Sequence, residues 1–185
     1  MSGYCAYCEG NPVHGPYHDR EHGFPARDTR VLFERLILEI NQAGLSWDLM
    51  LKKRESFRKA YAAFEPAKVA RFGARDVKRL LADAGIVRNR LKVAAAIHNA
   101  GVILDLERAH GSFAHWIDAN HPRTKPDWVK LFRKTFKFTG GEIVGEFLMS
   151  LGYLPGAHRA DCATAGRIAR LDPPWMRAAK AGFKY

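Results

Sequence analysis

The sequence has little that would tie it to a membrane, a secretory route or an oxidising compartment. Its 185 residues contain no run of eighteen apolar residues, so no segment reaches the length of a membrane span. Met1-Ser2-Gly3-Tyr4-Cys5 lacks the charged-then-apolar start of a signal peptide. Only three cysteines occur, Cys5, Cys8 and Cys162; an odd count argues against a disulfide framework and favours metal. Internal repeats, low-complexity tracts and convincing alternating strands are missing as well. Acidic residues are short: 19 Asp and Glu stand against 30 Lys and Arg, a net charge of +11. That balance suits a polyanionic partner. With no long basic tail and no membrane-seeking helix, a nucleic acid fits better than a lipid surface. The expectation is a soluble cytoplasmic protein with no membrane and no obligate protein partner. Its length suits a single domain, 1–185, that buries a core without disulfides.

What is present is helical, and the expected fold class is all-α. Residues 1–27 hold Gly3, Gly10, Pro12, Gly15, Pro16, Gly23 and Pro25, which predicts an irregular segment. Asp28 is placed to cap a helix in which Leu32, Phe33, Leu36, Ile37, Ile40, Ala43 and Gly44 share one broad arc. Val31 and Leu38 are apolar on the other side, so this helix should run through the interior and end at Gly44. Further helices are expected at about 47–64, from Pro66, at about 75–84, and in an alanine-rich stretch to about 109. Others follow Ser112, Pro126 and Ile143. The pair at 75–109, joined by a short turn containing Gly85 and flanked by Arg88, Arg90 and Lys92, forms a helix-hairpin-helix-like unit. The backbone N–H groups at the start of its second helix suit a DNA phosphate. Residues 166–185, with Arg167, Arg170, Arg177 and Lys180, read as an exposed basic tail.

Two groups of side chains carry chemistry. Glu39 falls at the rim of the apolar arc beside Gln42, and Trp47 lies just beyond the helix on its exit loop. A carboxylate there must find partners or protonate, and an acid with an indole beside it makes a pocket. The second group holds metal-ligand types. His158 and Cys162 are four apart and share a helical face. With Cys5 and Cys8 they make a closed four-ligand set by spacing; His18 is a fifth candidate, and a tetrahedral site takes four.

Glu39 followed by Gln42-Ala43-Gly44-Leu45-Ser46-Trp47, with Tyr17-His18-Asp19-x-Glu21-x-Gly23-x-Pro25 upstream, resembles the DNA-3-methyladenine glycosylase I (TAG) family. Asp83-Ala84-Gly85-Ile86-x-Arg88-x-Arg90-x-Lys92 and Phe136-Lys137-Phe138-Thr139-Gly140 extend the likeness, which runs from about Cys5 to Cys162. It implies a zinc ion held structurally by Cys5, His18, His158 and Cys162, tying the N-terminal segment to the C-terminal region. It also implies excision of 3-methyladenine flipped out of double-stranded DNA. Glu39 would bond the base edge, Trp47 would stack on its face, and Tyr17 and Tyr7 would complete the base site. Arg88, Arg90 and Lys92 would hold the DNA backbone. The chain departs from the family pattern at Tyr7, His22, Ile40-Asn41 and Gly145, all at the pocket or its approaches, which leaves room for an altered base preference. A zinc-stapled module that binds damaged DNA without cutting it, and a metal-dependent hydrolase, are the competing functions.

Overall fold

The computed structural model describes residues 3–185. Among them the chain is all-helical with no strand, in twelve α-helices. The organising element is α3, Thr29–Gln42. Asp28 caps it, its carboxylate accepting from the N–H of Arg30 at 2.7 Å and of Val31 at 3.4 Å. Every residue from Leu32 to Asn41 is buried, because the helix is walled by α4 (Trp47–Ala60), α7 (Arg90–His110), α8 (Phe113–Asn120) and α10 (Gly141–Ser150). Gly44, at φ +79°, turns the chain out of α3, a conformation that L side chains avoid.

Trp47 is not on a loop, as its distance from Gly44 suggested. It is the first residue of α4, which Ser46 caps by accepting from the N–H of Leu49 at 3.2 Å. That helix also ends before 64. Ala62, Ala63 and Phe64 form a left-handed turn that seats the Phe64 ring in the core. Two short helices follow, α5 (Pro66–Val69) and α6 (Ala74–Ala82). The rest of the core is an aromatic cluster: Trp128 and Phe132 from α9 (Lys125–Thr135) pack with Phe113, Trp116, Phe136 and Phe147.

Both termini depart from expectation. Residues 1–27 carry α1 (Gly3–Cys8) and α2 (His14–Arg20). Gly15 and Pro16 fall in the first turn of α2, where proline's missing N–H has no intrahelical acceptor to lose. Asn11 caps this turn, accepting from the N–H of Val13 at 2.9 Å and of His14 at 3.0 Å. The tail is likewise helical, in α11 (Ala163–Arg170) and α12 (Pro174–Lys180). Its cationic heads are exposed, but Ile168, Pro173 and Pro174 are buried and the N–H of Trp175 donates to the carbonyl of Gly152 at 3.0 Å.

Candidate active site

The helices converge on a cavity of about 240 Å³ lined by Tyr4, Tyr17, His22, Glu39, Gln42, Trp47, Glu146, Met149, Gly156 and Ala157. Glu39 enters because it lies one turn from the C-terminal end of a helix buried on all sides; only 4% of its surface is exposed. Its carboxyl is pushed well above the ordinary carboxylate range, first by burial and then by the negative charge of Glu146, with Arg35 opposing. No hydrogen bond to it contributes among the described residues. Arg35 is engaged elsewhere: it donates to Glu21 at 3.1 Å and to the carbonyl of Ser150 at 3.3 Å, and its guanidinium lies 5.1 Å from the Tyr17 ring centroid.

The faces of the cavity are aromatic. Tyr17 and Trp47 have ring centroids 5.2 Å apart at 56°, and Tyr17 and His22 are 5.5 Å apart at 36°. Burial, reinforced by His158, Arg35 and His18, pushes His22 down to about 3, so its ring is neutral at pH 7. His22 Nδ1 and Trp47 Nε1 are buried without hydrogen-bond partners among the described residues. Gly23, at φ +81°, packs tightly behind Ala157; a Cβ there would lie 2.9 Å from Ala157 Cβ and 3.0 Å from Ile168 Cδ1.

Behind His22 stand four ligand-type side chains. Cys5, His18, His158 and Cys162 bring their ligand atoms within 4.8 Å of one another. Cys5 Sγ is 3.8 Å from His158 Nδ1; Cys162 Sγ is 3.7 Å from His18 Nε2 and 3.8 Å from His158 Nδ1. The outward ring nitrogens are fixed. His158 Nε2 donates to the carbonyl of His22 at 2.7 Å, and His18 Nδ1 donates to Asp19 at 2.7 Å. Both rings therefore turn a lone pair inward, the arrangement that metal-binding imidazoles use. The donor set fits a metal ion, and it would join α1 and α2 to the loop before α11.

Comparison with known proteins decides what this arrangement belongs to. The family model described as methyladenine glycosylase matches residues 7–129. The chain belongs to the methyladenine glycosylase family. It is 44% identical to DNA-3-methyladenine glycosylase 1 of Escherichia coli, over 85% of this chain and 94% of that one. It is 34% identical to DNA-3-methyladenine glycosylase of Haemophilus influenzae, over 88% and 97%. A crystal structure of a variant of 3-methyladenine DNA glycosylase I in complex with 3-methyladenine superposes with a TM-score of 0.78 at 33% identity, covering 88% of this chain and 97% of that one.

Within this family member, Glu39, Tyr17 and Trp47 come together in one cavity, and Cys5, His18, His158 and Cys162 in one cluster. Cys8 is buried outside that cluster. Three expected sites are not where the sequence suggested. Tyr7 is 55% exposed and lies edge-on to His14, while Tyr4 lines the cavity instead. Lys92 does not face solvent: it is 4% exposed, and its ammonium donates to the carbonyls of Asn41 at 2.8 Å and Ala43 at 2.6 Å. The N–H groups of Leu91 and Lys92 at the start of α7 are taken by the Asn89 side chain. Arg88 and Arg90 are exposed at that turn. Sequence reasoning missed Tyr4 and Met149 as cavity residues, and it placed the stretch from Gly141 to Glu146 at the pocket or its approaches without singling out Glu146. Glu146 and Met149 are three apart on α10 and so share a face; a carboxylate in the middle of a helix whose other acid, Glu142, is confined to the first turn was the signal.

Proposed function

We propose that the chain is a cytoplasmic DNA repair glycosylase that hydrolyses the N-glycosidic bond of alkylated bases in double-stranded DNA, 3-methyladenine foremost, with residues 1–185 working as one domain. The observation that carries this is the cavity itself, with aromatic rings at its faces and an unbonded carboxyl, Glu39, in its wall. Damaged bases inside a duplex are out of reach, so such an enzyme flips the nucleotide into a pocket and reads it there by stacking and hydrogen bonding. Trp47 and Tyr17 are the stacking surfaces, and Glu39 accepts from the base edge. A purine alkylated at N3, as in 3-methyladenine, is cationic, so its glycosidic bond is weak and the base leaves neutral without a proton donor. Glu39 is driven towards the neutral form in the empty pocket. A cationic base beside it favours the carboxylate, so the pocket prefers charged, damaged bases over neutral, normal ones.

Zinc is the ion we assign to the Cys5, His18, His158 and Cys162 cluster. Tetrahedral Zn–S bonds of about 2.3 Å and Zn–N bonds of about 2.0–2.1 Å set ligand atoms roughly 3.3–3.8 Å apart. Four of the six pairs here lie 3.1 to 3.8 Å apart, and all lie within 4.8 Å. Four protein ligands leave no open position, which makes the ion structural. It would hold the segment that delivers Tyr4, Tyr17 and His22. On the DNA side, α6 and α7 act as the helix-hairpin-helix, with Arg88 and Arg90 on phosphates.

The test is chromatography of free bases released from methylated DNA. Wild type should release 3-methyladenine, with Glu39→Gln and Trp47→Ala each at least about tenfold slower, equivalent to roughly 1.4 kcal/mol of barrier. No base released by folded, zinc-loaded protein would overturn the assignment.

A further inference from the structure

Arg35 and Glu39 are four apart on α3 and share a face, with about 5–6 Å between Cβ atoms at that spacing. Both are buried, at 3% and 4% exposure. Opposite charges so placed commonly close an ion pair, yet no bond joins these two among the described residues. Arg35 is turned away by three contacts: Glu21 at 3.1 Å, the Ser150 carbonyl at 3.3 Å, and the Tyr17 ring, whose centroid is 5.1 Å from the guanidinium carbon. Its main tether is already spoken for. Arg54 grips both oxygens of Glu21, at 2.7 and 2.8 Å, so Arg35 makes the longest of the three bonds, and its Nε is buried with no partner among the described residues. The charge of Arg35 is therefore incompletely answered, one helical turn from a carboxyl that has no hydrogen bond of its own.

The other groups around Glu39 do not favour its ionised form. Glu146 of α10 repels it, burial keeps the hydroxyls of Tyr4 and Tyr17 protonated, and His22 is neutral at pH 7. From α4 the cavity receives Trp47, which carries no charge, and the residues that α8 buries carry none. The cation of α7, Lys92, is committed to the Asn41 and Ala43 carbonyls. Arg35 is the group that opposes burial and Glu146. A guanidinium bonded to Glu39 would occupy the oxygens that a base must reach; with no cation nearby, the acid would stay protonated. We propose that Arg35 is a positioning residue, a counter-charge that Glu21 and the Ser150 carbonyl hold off Glu39, so that Glu39 ionises on meeting a cationic base while both its oxygens stay free to bond it.

The role depends on the glycosylase activity proposed above and acts wholly through Glu39, since Arg35 itself does not line the cavity. Two measurements separate it from that activity. In protein labelled with carbon-13 at its glutamate carboxyls, the Glu39 signal is the one that Glu39→Gln removes, and its titration reports ionisation in the free protein with no catalysis involved. Rates of 3-methyladenine release from methylated DNA across pH, with spontaneous loss subtracted, report the same group at work.

Arg35→Met removes the charge and keeps much of the bulk. The carboxyl titration and the rising limb of the rate profile should both move to higher pH, by at least about one pH unit, and Arg35→Lys, which keeps a cation, should bring both back towards wild type. Glu21→Gln loosens the tether and lets Arg35 swing onto Glu39. There the titration should move to lower pH while release falls at least tenfold at every pH, because the oxygens are taken. Opposite movements in the two variants are a pattern that lost packing does not produce, and Glu146 keeps its place in all of them. Circular dichroism melting checks each fold; if Arg35→Met does not fold, Glu21→Gln decides alone. A Glu39 titration that stays where it is in the folded variants, or one that moves while the rate limb does not, makes Arg35 a structural ion-pair partner, overturns its role and leaves the proposed activity standing. Release of no base by wild type at any pH overturns both.

Discussion

The ammonium of Lys92, near the start of α7, donates to the carbonyl oxygen of Ala43 at 2.6 Å, the residue that ends α3. The same ammonium holds the Asn41 carbonyl, so one buried cation ties off the C-terminal end of the Glu39 helix, where the macrodipole is negative. The chain reaches Trp47 only four residues later. Lys92→Met should strand these carbonyls and cost about 2 kcal/mol, which at this chain length lowers Tm by roughly 4–8 °C. Base release should fall with it, through displacement of Trp47. A melting curve unchanged in Lys92→Met would show that the bond does not brace the site.

Arg88 and Arg90 should behave differently from their neighbour. They are exposed and the reading of α6–α7 as a DNA clamp puts them on phosphates. Replacing either with alanine should weaken binding to DNA of any sequence and reduce the slope of log K against log salt by about 1. Lys92→Met should leave that slope where it is. Titrations at several salt concentrations separate the two roles, and equal slopes for all three variants and wild type would remove the arginines from the backbone contact.

The contrast between these three cations shows what the sequence makes legible. Arg88, Arg90 and Lys92 look alike in a string, and only the register of α7 tells them apart. Lys92 shares a face with Ala95, Ala96 and Asn99, all buried, and that periodicity was available. Signals confined to a few residues were plain: the Asp28 cap, the Gly44 stop, the acid in an apolar arc, the Ser112 cap. The N-terminal helices were hidden by glycine and proline, which mark breaks in most places but are tolerated in a first turn, and the Asn11 cap was the clue. For the ligand set, spacing left Cys8 and His18 open; the family likeness chose His18, and the cluster has that composition. Nothing local distinguishes Tyr4 from Tyr7, whose exposure is decided by how α1 lies against α2.

Metal content provides a direct check on that cluster. Purified protein should carry one zinc per chain, and Cys162→Ser or His18→Ala should lose it, whereas Cys8→Ser should keep it. Because binding of a structural ion is also folding free energy, chelation should lower Tm and loosen α1 and α2, seen as faster amide exchange there. Zinc retained in His18→Ala but lost in Cys8→Ser would restore the alternative ligand set.

Glu39 links the pocket's chemistry to its stability. Its folded-state pKa lies above the ordinary 4.5, so between 4.5 and that raised value the folded protein binds more protons than the unfolded chain. Stability therefore falls as pH rises through this window: at low pH the neutral acid is tolerated, and above the raised pKa its ionisation is a standing penalty. Glu39→Gln has no charge to bury. It should be more stable than wild type at pH 8, by roughly 2–4 °C in Tm for each kcal/mol removed, while its base release is lost, the trade that active sites commonly make. Below pH 4.5 the two melting curves should converge. If Glu39→Gln is instead less stable than wild type at pH 8, Glu39 is an ionised, well-paired structural group, and its place as the base-reading acid falls.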